Sequence, residues 1–353
     1  MTSGPGEPAE GGPGEPLLAV RGLRVWYGTG GDPVRAVDGV SFEIGAGETV
    51  GLVGESGCGK STLGRGVLGL LPDNATAAGE VRYRGRDLVG LSRRELRDLR
   101  GPEIGLIFQE PMTRLDPLHT IADHFRETLR IHEPELGDEE TRKRSLETLA
   151  RMGIPPTRFR QYPHEFSGGM RQRIMIALAL VLRPSLLIAD EPTTALDVIV
   201  EAQILQILAD LRENFDTGLL LITHNLGIVA EACDRVAVMY AGQIVEEGEA
   251  RRVFSEPAHP YTRALLRSTI SLRTTGLHYI AGAPPNLIDP PPACRFHPRC
   301  PDAMAVCRER DPIEVSLAAD QRVSCWLHGP EDEIPPQGAE PLERTEIAIA
   351  EEA

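Results

Sequence analysis

The chain has 353 residues, 41% of them hydrophobic and 25% charged, which suits a soluble globular protein of one large domain or two with a sizeable core. A net charge of −15 argues against bulk attraction to nucleic acid or anionic lipid, so no nucleic-acid partner is expected. No apolar run approaches the roughly 20 residues that span a bilayer, and the N-terminus lacks the basic-then-apolar pattern of a secretory signal, so a cytoplasmic location is expected, with membrane contact made through partners.

Residues 1–16 hold five glycines and four prolines and are expected to form a disordered tail, because they bury too little apolar surface to offset chain entropy. In Leu23-Arg-Val-Trp-Tyr27 an aromatic face is available to a purine ring; Tyr27 is the first candidate and Trp26 the competitor. Thr49-Val-Gly-Leu-Val-Gly54 is a short apolar run entering the glycine-rich turn Gly54-Glu55-Ser56-Gly57-Cys58-Gly59-Lys60-Ser61-Thr62, and Lys60 to Leu71 has helical character. Strand, loop and helix in that order make a phosphate loop. Its backbone N–H groups face phosphate oxygens, Lys60 reaches the β- and γ-phosphates, and Ser61 ligates Mg²⁺. Cys58 reads as a small loop residue, with a helix-lowered, oxidation-sensitive thiol as the alternative.

Ile104-Gly-Leu-Ile-Phe108 is a further strand, and Gln109 at its end is a candidate sensor of Mg²⁺ or of the attacking water. From about 110 to 182 the texture becomes helical, with stretches over 139–151 and 172–182 broken by Pro155-Pro156 and Pro163; this reads as a helical insertion. Within it, Phe166-Ser167-Gly168-Gly169-Met170 is a second glycine-paired anion site. Having no evident way to reach the chain's own phosphate loop, it points to an ATPase that works as a face-to-face dimer. Ser185-Leu-Leu-Ile-Ala-Asp190 and Gly218-Leu-Leu-Leu-Ile-Thr223 are strand-length apolar runs separated by a helical pattern over 199–214, which argues for a mostly parallel sheet of α/β class. Asp190 ends its strand where a carboxylate can hold Mg²⁺, Glu191 follows as the expected general base, and His224 is placed to hydrogen-bond the γ-phosphate and to orient Glu191 and water.

Pro257, Pro260 and the run from 284 to 292 mark a boundary, beyond which a small Cys-containing module is expected up to about His328. Residues 329–353 carry eight acidic side chains against one basic and read as a solvated tail. The expected division is therefore 1–16 tail, 17–255 ATPase domain, 256–328 C-terminal module and 329–353 tail.

Tyr27, the phosphate loop, Gln109, Ser167-Gly168-Gly169, Asp190-Glu191, Ala195-Leu-Asp197 and His224 stand in the order found in ATP-binding subunits of ABC transporters, which the chain resembles from about Leu17 to Ser255. The resemblance implies that Ser167 and Gly169 contact the γ-phosphate held on a partner's phosphate loop and that Asp197 lies at the dimer seam. Met170 stands where Gln is commonest; the serine and glycines that contact phosphate are kept. Gln109-Glu-Pro-Met112, Tyr162-Pro-His-Glu165 and His259-Pro-Tyr-Thr262 further resemble the first of two paired ATPase subunits in the dipeptide/oligopeptide (and nickel) importer branch. Arg114, Asp116 and Asn225 depart from its usual Ser, Asn and Asp. The branch implies a paralogous ATPase partner, two transmembrane permeases, an extracytoplasmic substrate-binding protein and a place on the cytoplasmic face of the membrane.

Of six cysteines, Cys58 and Cys233 fall in the ATPase region, whereas Cys294, Cys300, Cys307 and Cys325 follow the Pro-rich boundary. Reduced cytosolic thiols argue against disulfides. Four thiolates suit a [4Fe–4S] cluster or Zn²⁺, and the close Cys pairs usual in zinc sites are absent. Cys294-Arg-Phe-His-Pro-Arg-Cys300-Pro resembles the importer branch's C-terminal module, some members of which hold a [4Fe–4S] cluster. The cluster is the expectation, zinc or a metal-free module the alternatives, and His297 and His328 spare ligands.

Overall fold

The computed structural model describes residues 15–28, 31–108, 115–193, 198–268, 279–318 and 320–330. Gln109, Arg114, Asp197 and most of the two expected tails lie outside these residues.

Two sheets organise the described chain. β1 (Leu18–Tyr27), β2 (Val34–Ile44), β4 (Ala75–Tyr83) and β5 (Arg86–Asp87) form an antiparallel sheet of order β2-β1-β4-β5. β3 (Thr49–Val53), β6 (Ile104–Ile107), β7 (Leu186–Asp190), β8 (Gly218–Ile222), β9 (Arg235–Tyr240), β10 (Gln243–Glu249), β11 (Glu314–Ala318) and β12 (Gln321–Ser324) form the second, of order β11-β12-β10-β9-β3-β8-β7-β6. From β9 to β6 the pairing is parallel. Every residue of β3, β7 and β8 is buried, as expected for strands covered on both faces.

The period-2 alternation of a strand decides what each residue packs against. Leu186, Ile188, Leu220 and Ile222 join Val50, Leu52, Leu63 and the inward residues of β1 and β2 in one core cluster. Their neighbours Leu187, Ala189, Leu219 and Leu221 point the other way, toward Phe125, Leu129, Ile174 and Ile176. The parallel strands thus sit between two cores, and their carboxyl ends emerge along one edge, where ligands bind in such sheets.

Helix α1 (Lys60–Val67) is shorter than the sequence suggests. Gly69 at φ +60° closes it, with Leu70 N–H donating to Arg65 O at 2.8 Å, a left-handed glycine cap. α2 (Arg93–Leu99) begins at a Ser92–Glu95 capping box. Between β6 and β7 lie α3 (Ile121–His132), α4 (Asp138–Arg151) and α5 (Gly168–Leu180), which form the helical layer. α6 (Val198–Phe215) joins β7 to β8, α7 (Leu226–Ala232) follows β8, and α8 (Ala250–Ser255), α9 (Pro260–Ser268) and α10 (Val306–Glu309) complete the set among the described residues.

The C-terminal segment differs from the expected module set apart by prolines. Its strand β12 pairs with β10 through Glu246↔Val323, Glu247↔Arg322 and Gly248↔Gln321, so it extends the ATPase sheet. The fully buried Glu246 carboxylate accepts from Ala258 N–H (2.8 Å), His259 N–H (2.9 Å) and Gln321 Nε2 (2.9 Å), tying β10, the entry to α9 and β12 together. Tyr240, Tyr261 and Phe296 pack ring on ring with centroids 4.5 to 5.4 Å apart, sealing the joint. Polar sheet-edge strands such as Glu314–Ala318 lack the apolar run that marks a strand in sequence, which is why the shared sheet is hard to read there.

Candidate active site

The phosphate loop leaves β3 and turns into α1. Gly54 (φ +155°) and Gly59 (φ +109°) adopt backbone that side chains disfavour, and a Cβ would lie 2.1 Å from Met239 O at Gly54 and 2.0 Å from Ala36 O at Gly59. Both positions therefore require glycine. Gly59 caps α1 without a side chain, leaving the first N–H groups of the helix for an anion. Lys60, 6% exposed, donates from Nζ to Gly54 O (2.8 Å) and Glu55 O (3.0 Å), which folds its ammonium over the loop.

At the end of β7, which β8 separates from β3, Asp190 Oδ1 accepts from Ser61 Oγ at 2.8 Å. The two residues expected at Mg²⁺ thus meet across 129 positions of sequence. Burial pushes the Asp190 carboxyl above its ordinary range, and the Ser61 hydrogen bond and Arg65 oppose the shift. A buried carboxylate beside a hydroxyl, at a site that disfavours its charge, fits a bound cation. Glu191 takes a left-handed backbone, φ +48°, held by its N–H donating to Ile222 O at 2.8 Å. Such strain in a non-glycine residue costs about 1–3 kcal/mol and concentrates at functional sites. His224 Nδ1 lies 3.4 Å from Glu191 Oε1, with the imidazole 64% exposed and the carboxylate 16%. Thr223, between them in the edge, donates its N–H to Leu52 O.

Tyr27 donates its hydroxyl to Thr62 Oγ1 at 3.3 Å, which sets the ring beside the start of α1. Trp26, the competitor, carries the Arg35 guanidinium 5.5 Å from its ring centroid. Cys58 is buried, and burial pushes its thiol up against the pull of Lys60, so it is a packing residue and the oxidation-sensitive alternative is set aside. Ser167 caps α5 by accepting Met170 N–H, and Ser167 and Gly168 are exposed, while a Cβ on Gly169 would meet Val200 at 3.0 Å. The signature thus opens a helix of the second core cluster, whereas the phosphate loop opens a helix of the first. Gln172 on α5 donates to Pro192 O at 2.7 Å, linking the signature helix to the loop after Glu191. Asn225 caps α7 and reaches Glu201 at 3.4 Å, so the departure from Asp keeps a capping residue.

Two residues at the loop escaped the sequence reading. Arg299 binds the Glu55 carboxylate through Nη1 (2.6 Å) and Nη2 (3.0 Å), and the Tyr261 hydroxyl accepts Glu55 N–H at 2.8 Å. A separation of 244 positions leaves no local signal for the first pair.

Cys294, Cys300, Cys307 and Cys325 are free thiols, and Cys294 N–H donates to Cys307 O at 3.1 Å. Burial pushes Cys294 up to about 11 and Cys300 and Cys325 up to about 12, with the other thiols of the group adding to each shift. Among the described residues, no set of three or more His, Cys, Asp or Glu is drawn together closely enough to hold a metal ion, so neither the expected [4Fe–4S] cluster nor zinc gains support from the geometry. The spare ligands are engaged elsewhere: His297 Nδ1 bonds Cys294 O and His328 Nε2 bonds Ala258 O.

Comparison with known proteins agrees with this geometry. The family model described as ABC transporter matches residues 37–194, and that described as Oligopeptide/dipeptide transporter, C-terminal region, matches 245–307. The chain is 46% identical over 319 residues to the dipeptide transport ATP-binding protein DppD of Bacillus subtilis, covering 89% of this chain and 95% of that protein. It is 47% identical over 306 residues to the oligopeptide transport ATP-binding protein OppD of Salmonella typhimurium, covering 86% and 91%. A dimeric ATP-binding cassette solved in a post-hydrolysis state with ADP and Pi superposes with a TM-score of 0.60 at 30% identity, over 67% of this chain and 99% of that one. With the phosphate loop, the Ser61–Asp190 pair and the strained Glu191 at one sheet edge, these matches establish that the chain belongs to the ATP-binding subunits of the oligopeptide/dipeptide ABC transporters.

Proposed function

We propose that the chain is the ATPase subunit of a peptide importer, and that ATP closes it against a paralogous subunit while hydrolysis reopens the pair. The observation that carries the reading is the Ser61–Asp190 hydrogen bond, which assembles a Mg²⁺ locus beside the phosphate loop and next to Glu191. Ser61 and Asp190 would hold Mg²⁺ there, and the ion would supply positive charge against the charge that develops on the phosphates. The loop amides and Lys60 bind the phosphates, Tyr27 offers its ring to the adenine, and Glu191 takes a proton from water, with His224 holding that carboxylate in place. Ser167, exposed on the helical layer, and the half-buried Gly169 serve the nucleotide on the partner's loop; the similarity to a dimeric cassette supports this arrangement. Gln109 is assigned to Mg²⁺ or the attacking water from its place after the run Ile104–Phe108, and Asp197 to the seam from the resemblance. Differential affinity of ATP for the closed pair then shifts the permeases between inward- and outward-facing states. Two permeases, an extracytoplasmic binding protein and a peripheral place on the cytoplasmic face follow from the family. No helix of the described residues is long and apolar enough to cross a membrane.

The four late thiols are proposed as the ligands of a [4Fe–4S] cluster. The backbone bond from Cys294 N–H to Cys307 O and the free state of all four thiols support the assignment. Buried, protonated thiols must lose protons to bind iron, so loading should strengthen with rising pH. Anaerobically purified protein should be brown with about four irons per chain; colourless, iron-free protein from cells competent in cluster assembly would remove the cluster. For the transport reading, Lys60→Ala in the reconstituted importer should abolish ATP-dependent peptide uptake, and undiminished uptake would contradict it.

A further inference from the structure

Glu55 is held at three points. Lys60 Nζ donates to its carbonyl (3.0 Å), the Tyr261 hydroxyl accepts its N–H (2.8 Å), and Arg299 grips its carboxylate with two nitrogens at 2.6 and 3.0 Å. Only the first of these belongs to the phosphate loop itself. The Arg299 side chain is 5% exposed and is itself braced, with Nη1 donating to the Tyr240 hydroxyl (3.3 Å), Nε to Ala281 O (3.0 Å) and Nη2 to Ile280 O (3.3 Å). A planar guanidinium locked by two carbonyls, a phenol and a carboxylate has little freedom left, so it fixes where Glu55 can sit.

We infer that Arg299 is a positioning residue for ATP binding: by clamping Glu55 it holds the phosphate loop in its anion-accepting curve, so that the C-terminal segment sets the affinity of the nucleotide site. The inference rests on the nucleotide reading of that loop. It also ties the Cys-bearing segment to ATP affinity, because Arg299 directly precedes Cys300. The hydrogen bonds of Arg299 go to Glu55, Tyr240, Ala281 and Ile280, so the chemical step should be spared.

The test uses the assembled importer for steady-state ATPase and the full-length chain for binding of a fluorescent ATP analogue. Arg299→Ala should raise the KM for ATP and the analogue's Kd about tenfold, in keeping with loss of a charge-assisted pair, while kcat stays within about twofold. Arg299→Lys should fall between, since an ammonium cannot make the two-point contact. Glu55→Gln should produce a similar shift, and adding it to Arg299→Ala should cost little more, because both remove one interaction. Unchanged KM and Kd in folded Arg299→Ala would overturn the inference, as would equal loss of kcat at constant KM or additive effects in the double variant. Should Arg299→Ala fail to fold, Arg299→Lys and Glu55→Gln carry the same test. Lys60→Ala is the control: if it binds the analogue normally, the nucleotide reading fails and not merely the clamp.

Discussion

Replacing Glu246 tests whether the C-terminal segment is built into the ATPase core. Its Oε1 accepts Ala258 N–H and Gln321 Nε2, and its Oε2 accepts His259 N–H, all where no solvent reaches the carboxylate. Glu246→Ala strands the two buried backbone donors, each costing about 1–3 kcal/mol, while Gln321 Nε2 keeps Glu256 O as acceptor, so a loss of roughly 2–6 kcal/mol is expected. Glu246→Gln can keep the two bonds at Oε1 and confronts only His259 N–H with an amide donor, so it should lose about 1–3 kcal/mol. Against a total of about 5–15 kcal/mol these are large effects. Urea unfolding of the full-length chain, followed by fluorescence of the buried Trp326, should show the midpoint falling by about 1–2 M for Ala and by less for Gln. Equal midpoints in wild type and Glu246→Ala would refute the docked arrangement of β10, α9 and β12.

Glu191→Gln should keep ATP binding and slow turnover about 10²–10⁴-fold, as loss of a general base does; near-normal steady-state ATPase of the complex would remove Glu191 from that role. Burial raises the Asp190 carboxyl above its unfolded value, so the native chain holds its proton to higher pH than the unfolded chain, and nucleotide-free stability should fall as pH rises from about 3.8 through the folded value. Asp190→Asn should flatten that fall in thermal melts and abolish the stabilisation that MgATP gives the wild type; a pH profile identical to wild type would count against the buried-carboxylate reading.

The strands that carry the nucleotide site were legible because they are continuous apolar runs: Thr49–Val53, Leu186–Asp190 and Gly218–Ile222 are buried on both faces, and turn chemistry marks their ends. The Ser61–Asp190 meeting follows from motif order, since β3 and β7 both run parallel to β8 between them and end along one edge. Other features had weak signals. The ten-residue β1 carries three register shifts against β2, two of them near Gly22, and alternates imperfectly. The Pro-rich stretch before Cys294 reads as a domain boundary by composition, yet Leu287 O accepts Arg35 N–H and the following segment returns to the sheet through β12. Backbone strain at Glu191 and the grip of Arg299 on Glu55 are products of tertiary packing and have no local pattern to betray them.

The account turns on Ser167 acting at a nucleotide held by another subunit. In an importer assembled with one Ser167→Arg copy of this chain and an unaltered partner, photo-cross-linked ATP should show hydrolysis blocked at the partner's phosphate loop while nucleotide at this chain's Lys60 still turns over. A defect confined to the loop at Lys60 of the mutated chain would contradict the composite site.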